Sequence, residues 1–147
     1  MSSLKPVSIL LVDDNRDHAD ILIDALAEFN VKNIINHVED GEQAISFLNN
    51  EGIYADDRLF PNPDLVFLDI RMPRQDGIDT LKLIKQSRDL AHIPVIMLST
   101  STSPEEISEC YRLGASGYIS KPIRFDELAQ KIKEMNYYWI LVSDASL

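Results

Sequence analysis

Ser8-Ile9-Leu10-Leu11-Val12-Asp13-Asp14-Asn15 is an unbroken apolar run that stops at two carboxylates and a helix-capping amide. Continuous rather than alternating apolarity marks a strand covered on both faces. The same pattern recurs downstream. Ile34 to Val38 reads as a second strand, and Leu65-Val66-Phe67-Leu68 as a third that ends at Asp69. Ile93 to Leu98, with Pro94 near its start, reads as a fourth that ends at Ser99. Ser116 to Ser120 is a short fifth, followed by Lys121-Pro122.

Between these runs the apolar residues repeat at helical spacing. The stripes are Ala19, Leu22, Leu26 and Phe29; Ala44, Ile45 and Leu48; Ile78, Leu81 and Ile84; and Phe125, Leu128, Ala129, Ile132 and Met135. Ser103-Pro104-Glu105-Glu106 is a helix start, with Ser103 as cap, Pro104 in the first turn and Glu106 at the capping-box position. Gly114 suits the left-handed residue that ends that helix. Five strand–helix repeats predict an α/β fold, a parallel sheet with helices on both faces and right-handed crossovers.

The chain has 147 residues, enough for one domain. Its 14 basic and 24 acidic residues give a net charge of −10, which repels a phosphate backbone and argues against nucleic acid as partner. Cys110 is the only cysteine, so no intrachain disulfide forms and no cysteine zinc cluster is possible. Its place beside Ile107 and Leu113 reads as a small buried hydrophobe. A cytoplasmic location fits, and no apolar run is long enough to span a membrane.

Ligands of open parallel sheets bind outside the carboxyl ends of the strands. Those ends carry Asp13 and Asp14, Asp69, Ser99 and Lys121. If these strands are neighbours, three carboxylates converge on one rim and need a cation among them. Hard carboxylate oxygens suit Mg²⁺. A carboxylate can also be a nucleophile that forms an aspartyl-phosphate. Asp69, at the middle of the rim, is the candidate, with Asp13 and Asp14 as cation ligands. The Lys121 ammonium and the Ser99 hydroxyl then hold phosphoryl oxygens.

With these residues goes Asp69-Ile70-Arg71-Met72-Pro73-Arg74-Gln75-Asp76-Gly77 after the third strand. Gly114-Ala115-Ser116-Gly117-Tyr118-Ile119-Ser120-Lys121-Pro122 runs through the fifth. In this order the motifs resemble the response-regulator receiver domain of two-component signalling, over roughly residues 7–135. The resemblance implies a doubly wound five-stranded parallel sheet of flavodoxin-like order 2-1-3-4-5. It implies that Asp69 is the phosphoacceptor and that Asp14 and Asp69 bind Mg²⁺ directly, with Asp13 acting through water. The backbone carbonyl of Arg71 would be a further ligand. Lys121 would bind phosphate, often before a cis peptide bond. Ser99 would move toward the phosphoryl group and Tyr118 would be the aromatic switch that turns inward with it. Arg71 and Ser101 occupy positions that tune the lifetime of the phosphoryl group. The donor would be a sensor histidine kinase.

Residues 1–6 form an N-terminal extension. The connection from Glu51 to Pro63 is longer than usual and reads as a surface loop. It resembles that of single-domain receivers accompanying phytochromes. The tail from 136 to 147 begins Asn136-Tyr137-Tyr138-Trp139-Ile140-Leu141-Val142 and is too apolar for solvent. It would pack on its own domain or join a homodimer. No room is left for an output domain. His18, His37 and His92 lack metal-ligand spacing, and His18 reads as an exposed helix residue.

Two other readings compete. An aspartate-nucleophile phosphohydrolase of haloacid-dehalogenase type needs a second aspartate two residues after the nucleophile, where this chain has Arg71. A flavodoxin-like electron carrier needs a phosphate loop after the first strand, where Asp13-Asp14-Asn15 repels phosphate.

Overall fold

Each of the apolar runs becomes a strand, and all neighbours pair in parallel. The computed structural model describes residues 7–28, 33–72, 74–101, 103–124, 126–128 and 130. The strands are β1 (Val7–Val12), β2 (Asn33–Val38), β3 (Leu65–Asp69), β4 (Val95–Ser99) and β5 (Gly117–Ser120). Their order is β2-β1-β3-β4-β5, the 2-1-3-4-5 order that the motifs imply. Pro94 lacks an N–H, so the fourth strand starts at Val95, two residues later than its apolar run; the Pro94 carbonyl still accepts from Val66 N at 3.0 Å.

The helices are α1 (Arg16–Ala27), α2 (Gly41–Leu48), α3 (Gly77–Gln86) and α4 (Pro104–Arg112). Alternate strand residues face opposite layers. Ile9, Leu11, Phe67 and Leu98 pack with Leu22 and Leu26 of α1 and with Leu128. Leu10, Val12, Leu68 and Met97 pack with Phe47, Leu81 and Ile84 from α2 and α3 and with Cys110 of α4. Burial on both faces is why the strands read as continuous apolar runs.

The helix starts follow side-chain caps. Asn15, Asp40, Asp76 and Ser103 each accept a hydrogen bond from the backbone N–H three residues on. Gly114 ends α4 at φ +107°. The long connection after α2 is not simply a surface loop. It holds a short 3₁₀ turn (Gly52–Tyr54), and Tyr54 and Phe60 stack with Phe47 of α2, with ring centroids 5.2–5.8 Å apart. Asn50 pins it by donating to the carbonyls of Tyr54 and Phe60.

Residues 126–128 and 130 are helical, and Leu128 of the last expected stripe is buried. Phe29, Phe125, Ala129, Ile132 and Met135, the extension 1–6 and the tail 136–147 lie outside the described residues. Among the described residues no helix is long and apolar enough to cross a membrane.

Candidate functional site

The carboxyl ends of β1, β3, β4 and β5 are adjacent, and the residues that follow them meet there. Asp13 continues the sheet one residue past β1, its N–H donating to the Val38 carbonyl. Its Oδ1 accepts from Asn15 N at 2.9 Å, which turns the chain into α1. Asp69 is the last residue of β3 and only 6% exposed. Carboxylate oxygens of Asp13, Asp14 and Asp69 lie within 4.8 Å of one another. Asp14 is exposed, so the group opens to solvent on its side.

Lys121 closes the other side. Its N–H donates to the Ser99 carbonyl at 2.8 Å, holding it to the end of β4, and its bond to Pro122 is cis. The side chain is 4% exposed, with Nζ 2.7 Å from Asp13 Oδ2 and 3.3 Å from Asp69 Oδ2. A third contact, 3.0 Å, reaches His18 Nδ1. An ammonium only donates, so this ring nitrogen accepts. His18 is thus half-buried against the site rather than the exposed helix residue its spacing suggested; α1 begins so close to the rim that its first turn leans over it. Burial, and then the charge of Asp13, push the Asp69 carboxyl up to about 7, although Lys121 pulls it down.

The helix after β3 is held against Asp69 by a glycine. The Gly77 N–H donates to the Ile70 carbonyl at 2.8 Å. A Cβ on Gly77 would sit 2.2 Å from the Asp69 carbonyl oxygen and 2.7 Å from Ile70 Cα.

A second group of side chains adjoins the first. Ser99 is fully buried. Its hydroxyl accepts from Ser101 N at 3.0 Å and donates to Glu106 Oε1 at 3.2 Å. Tyr118 is buried with its ring inward, its hydroxyl 2.9 Å from the Ser101 carbonyl and 3.1 Å from Glu106 Oε1. Burial raises its phenol above the usual tyrosine range. Arg71 donates to Glu106 Oε2 at 2.8 Å. An open cleft between the two groups is lined by Asp14, Arg71, Asp76 and Glu106.

The structure therefore brings Asp13, Asp14, Asp69 and Lys121 to one rim, with Lys121 in contact with Asp13 and Asp69, and it gathers Ser99, Tyr118 and the Arg71 side chain around Glu106. The helix-start reading of Glu106 needs correction. Ser103 Oγ does accept from Glu106 N, at 3.4 Å. The Ser103 N–H, which a capping-box carboxylate would take, goes instead to Ser101 Oγ at 3.1 Å. The Glu106 carboxylate is free for the site, and nothing in its local spacing signals this. Cys110 is buried, and desolvation ahead of Glu106 and Glu109 pushes its thiol up to about 11, as expected for an inert packing residue.

Once all three are ionised, the carboxylates of Asp13, Asp14 and Asp69 beside the single Lys121 ammonium leave a surplus of two negative charges. The donor set and its charge fit a divalent cation.

Comparison with known proteins agrees with this geometry. Residues 9–133 match the family described as response regulator receiver domain. The chain is 30% identical over 135 residues to the response regulator Rcp1 of Synechocystis, covering 92% of this chain and 90% of that one. It is 35% identical to a probable methanogenesis regulatory protein, FilR2, of Methanothrix harundinacea, covering 92% and 84%. Among solved structures, the bacteriophytochrome response regulator RtBRR superposes with a TM-score of 0.82 at 31% identity, covering 92% of this chain and 81% of that one. The phosphorylated cyanobacterial phytochrome response regulator RcpA gives 0.79 at 34%, covering 92% and 95%. Rcp1 is also known in a Mn²⁺-bound form. A matching profile over most of the chain, the 2-1-3-4-5 sheet and the acidic rim together show that this chain belongs to the response regulator receiver domain family.

Proposed function

We propose that the chain is a stand-alone response regulator that accepts a phosphoryl group on Asp69 from a sensor histidine kinase in a Mg²⁺-dependent reaction. The observation that carries this reading is the placing of Asp69 at the end of the central strand, within reach of two further carboxylates and the Lys121 ammonium. Asp13, Asp14 and Asp69, with the backbone carbonyl of Arg71, would hold the Mg²⁺. Bound there, the ion would neutralise charge on the transferring phosphoryl group and favour the carboxylate form of Asp69.

The residues of the chain do the rest. An Asp69 oxygen attacks phosphorus; the O–P bond forms as the P–N bond to the donor histidine breaks, and the imidazole leaves neutral when its other nitrogen carries a proton. Lys121 stabilises the negative oxygens. The Ser99 hydroxyl turns toward the phosphoryl group, and Tyr118, whose ring already lies inward in this structure, is retained there behind it. This shift alters the surface around α4 and β5, which a partner protein reads. Similarity to phytochrome response regulators favours a phytochrome-type kinase as donor; a cytoplasmic site of action is part of the same proposal. The receiver occupies residues 7–135, and the aromatic tail is a candidate homodimer contact.

Incubation with acetyl phosphate and Mg²⁺ tests the reading by intact mass. The expected result is one phosphoryl adduct, absent in Asp69→Asn. No adduct, or an adduct that persists in Asp69→Asn, overturns it. Many turnovers of a phosphomonoester per chain would point to the phosphohydrolase instead.

A further inference from the structure

On the phosphoacceptor reading, we infer that Glu106 is a positioning residue that competes with the Asp69 phosphoryl group for the Ser99 hydroxyl and the Arg71 guanidinium. Its carboxylate stands where three separate parts of the fold meet. Ser99 ends β4, Tyr118 lies on β5 and Arg71 follows β3. The Glu106 side chain is 13% exposed. Oε1 takes Ser99 at 3.2 Å and Tyr118 at 3.1 Å, and Oε2 takes Arg71 at 2.8 Å.

A carboxylate and a phosphoryl group ask for the same donors. A hydroxyl carries one proton, so Ser99 serves Glu106 or a phosphoryl oxygen, but not both. The Ser99–Glu106 bond joins a fully buried hydroxyl to a carboxylate that is 13% exposed; at 3.2 Å it is long, but the charge on its acceptor favours it over a bond between neutral groups. The Arg71 bond is weaker in effect, since that side chain is largely exposed. Binding of an anion at Asp69 must therefore break a specific contact, and Glu106 sets the cost. The single Tyr118 proton is shared between the Ser101 carbonyl and Oε1; departure of Ser99 leaves Oε1 to Tyr118 alone, so the same carboxylate links the hydroxyl movement to the aromatic ring.

The test measures affinity for beryllofluoride in the presence of Mg²⁺, by calorimetry. In Glu106→Gln the acceptor is neutral, and binding tightens by roughly tenfold, the difference between a charge-assisted and a neutral hydrogen bond. In a Ser99→Ala, Arg71→Ala background the same substitution brings less than about a twofold gain, because the contested donors are gone. A gain of equal size in both backgrounds means that charge acts through space, and it overturns the inference. No gain, or weaker binding, in the Ser99-containing protein also overturns it. A wild-type protein that binds no beryllofluoride removes the phosphoacceptor reading itself, and the inference with it. A second measurement needs no Glu106 variant. The side-chain carboxyl resonance of Glu106 and the Arg71 Nε resonance should both shift when beryllofluoride is added to wild-type protein. Unchanged resonances at saturation overturn the competition.

Discussion

Lys121 neutralises more at this rim than any other described side chain, and its three donors are all used, on Asp13, Asp69 and His18. Removing one partner of a buried ion pair costs about 3–5 kcal/mol, because the other charge stays behind without compensation. Lys121→Met should approach that cost at pH 8 in metal-free buffer. The loss should be smaller at pH 6, where Asp69, with its carboxyl raised to about 7, takes up a proton instead. Mg²⁺ should restore part of the stability by supplying positive charge to the same oxygens. Urea unfolding at both pH values, with and without Mg²⁺, checks this; a loss independent of pH and ion would show that the lysine acts only by packing. Cys110 gives a simpler expectation. Buried and with its thiol raised to about 11, it should resist iodoacetamide at pH 8 until the chain is unfolded.

At the scale of elements, α3 is set against β3 at Gly77, and the clash that a side chain would meet there is with backbone, which cannot step aside. Gly77→Ala should cost about 1–3 kcal/mol, the usual range for overpacking. It should also slow formation of the acetyl-phosphate adduct, since relief of the clash moves the Asp69 carbonyl. Normal stability in urea with normal adduct kinetics would refute this placement. The elements themselves were legible in the chain because their causes are local. Double-faced burial writes β1, β3 and β4 as apolar runs, and Ser103, Pro104 and Gly114 bracket α4 by capping and backbone preference. Asp13, Asp14, Asp69 and Lys121 were legible as a site because each directly follows or ends a strand. Glu106 and His18 were not. Their local spacing fits a capping box and an exposed helix position, and only the packing of α4 against β4 and β5, and of α1 over the rim, turns them toward the site. The Phe47–Tyr54–Phe60 group was hidden for the same reason, since three aromatic residues spread across a helix and a loop show no period.

At the scale of the whole molecule, strand order converts a sequence of separate carboxylates into one electrostatic problem. With β3 between β1 and β4, Asp69 cannot avoid Asp13, and a chain of net charge −10 offers little relief from elsewhere. The global stability should carry this signature. A carboxyl group raised from 3.8 to about 7 on folding binds its proton more tightly in the native state than in the unfolded one. Its contribution is therefore fully present below the unfolded value and is lost as pH rises through about 7. Metal-free protein should lose stability between pH 6 and pH 8, and Asp69→Asn should flatten that slope, because the amide does not titrate. Stabilisation by Mg²⁺ should run the opposite way and be larger at pH 8 than at pH 6, since the ion binds the carboxylate form. Urea midpoints for wild type and Asp69→Asn, each with chelator or with Mg²⁺, resolve the two trends. A slope that is the same in both proteins would place the titrating group elsewhere. An ion effect that is equal at both pH values would mean that the cation does not contact Asp69.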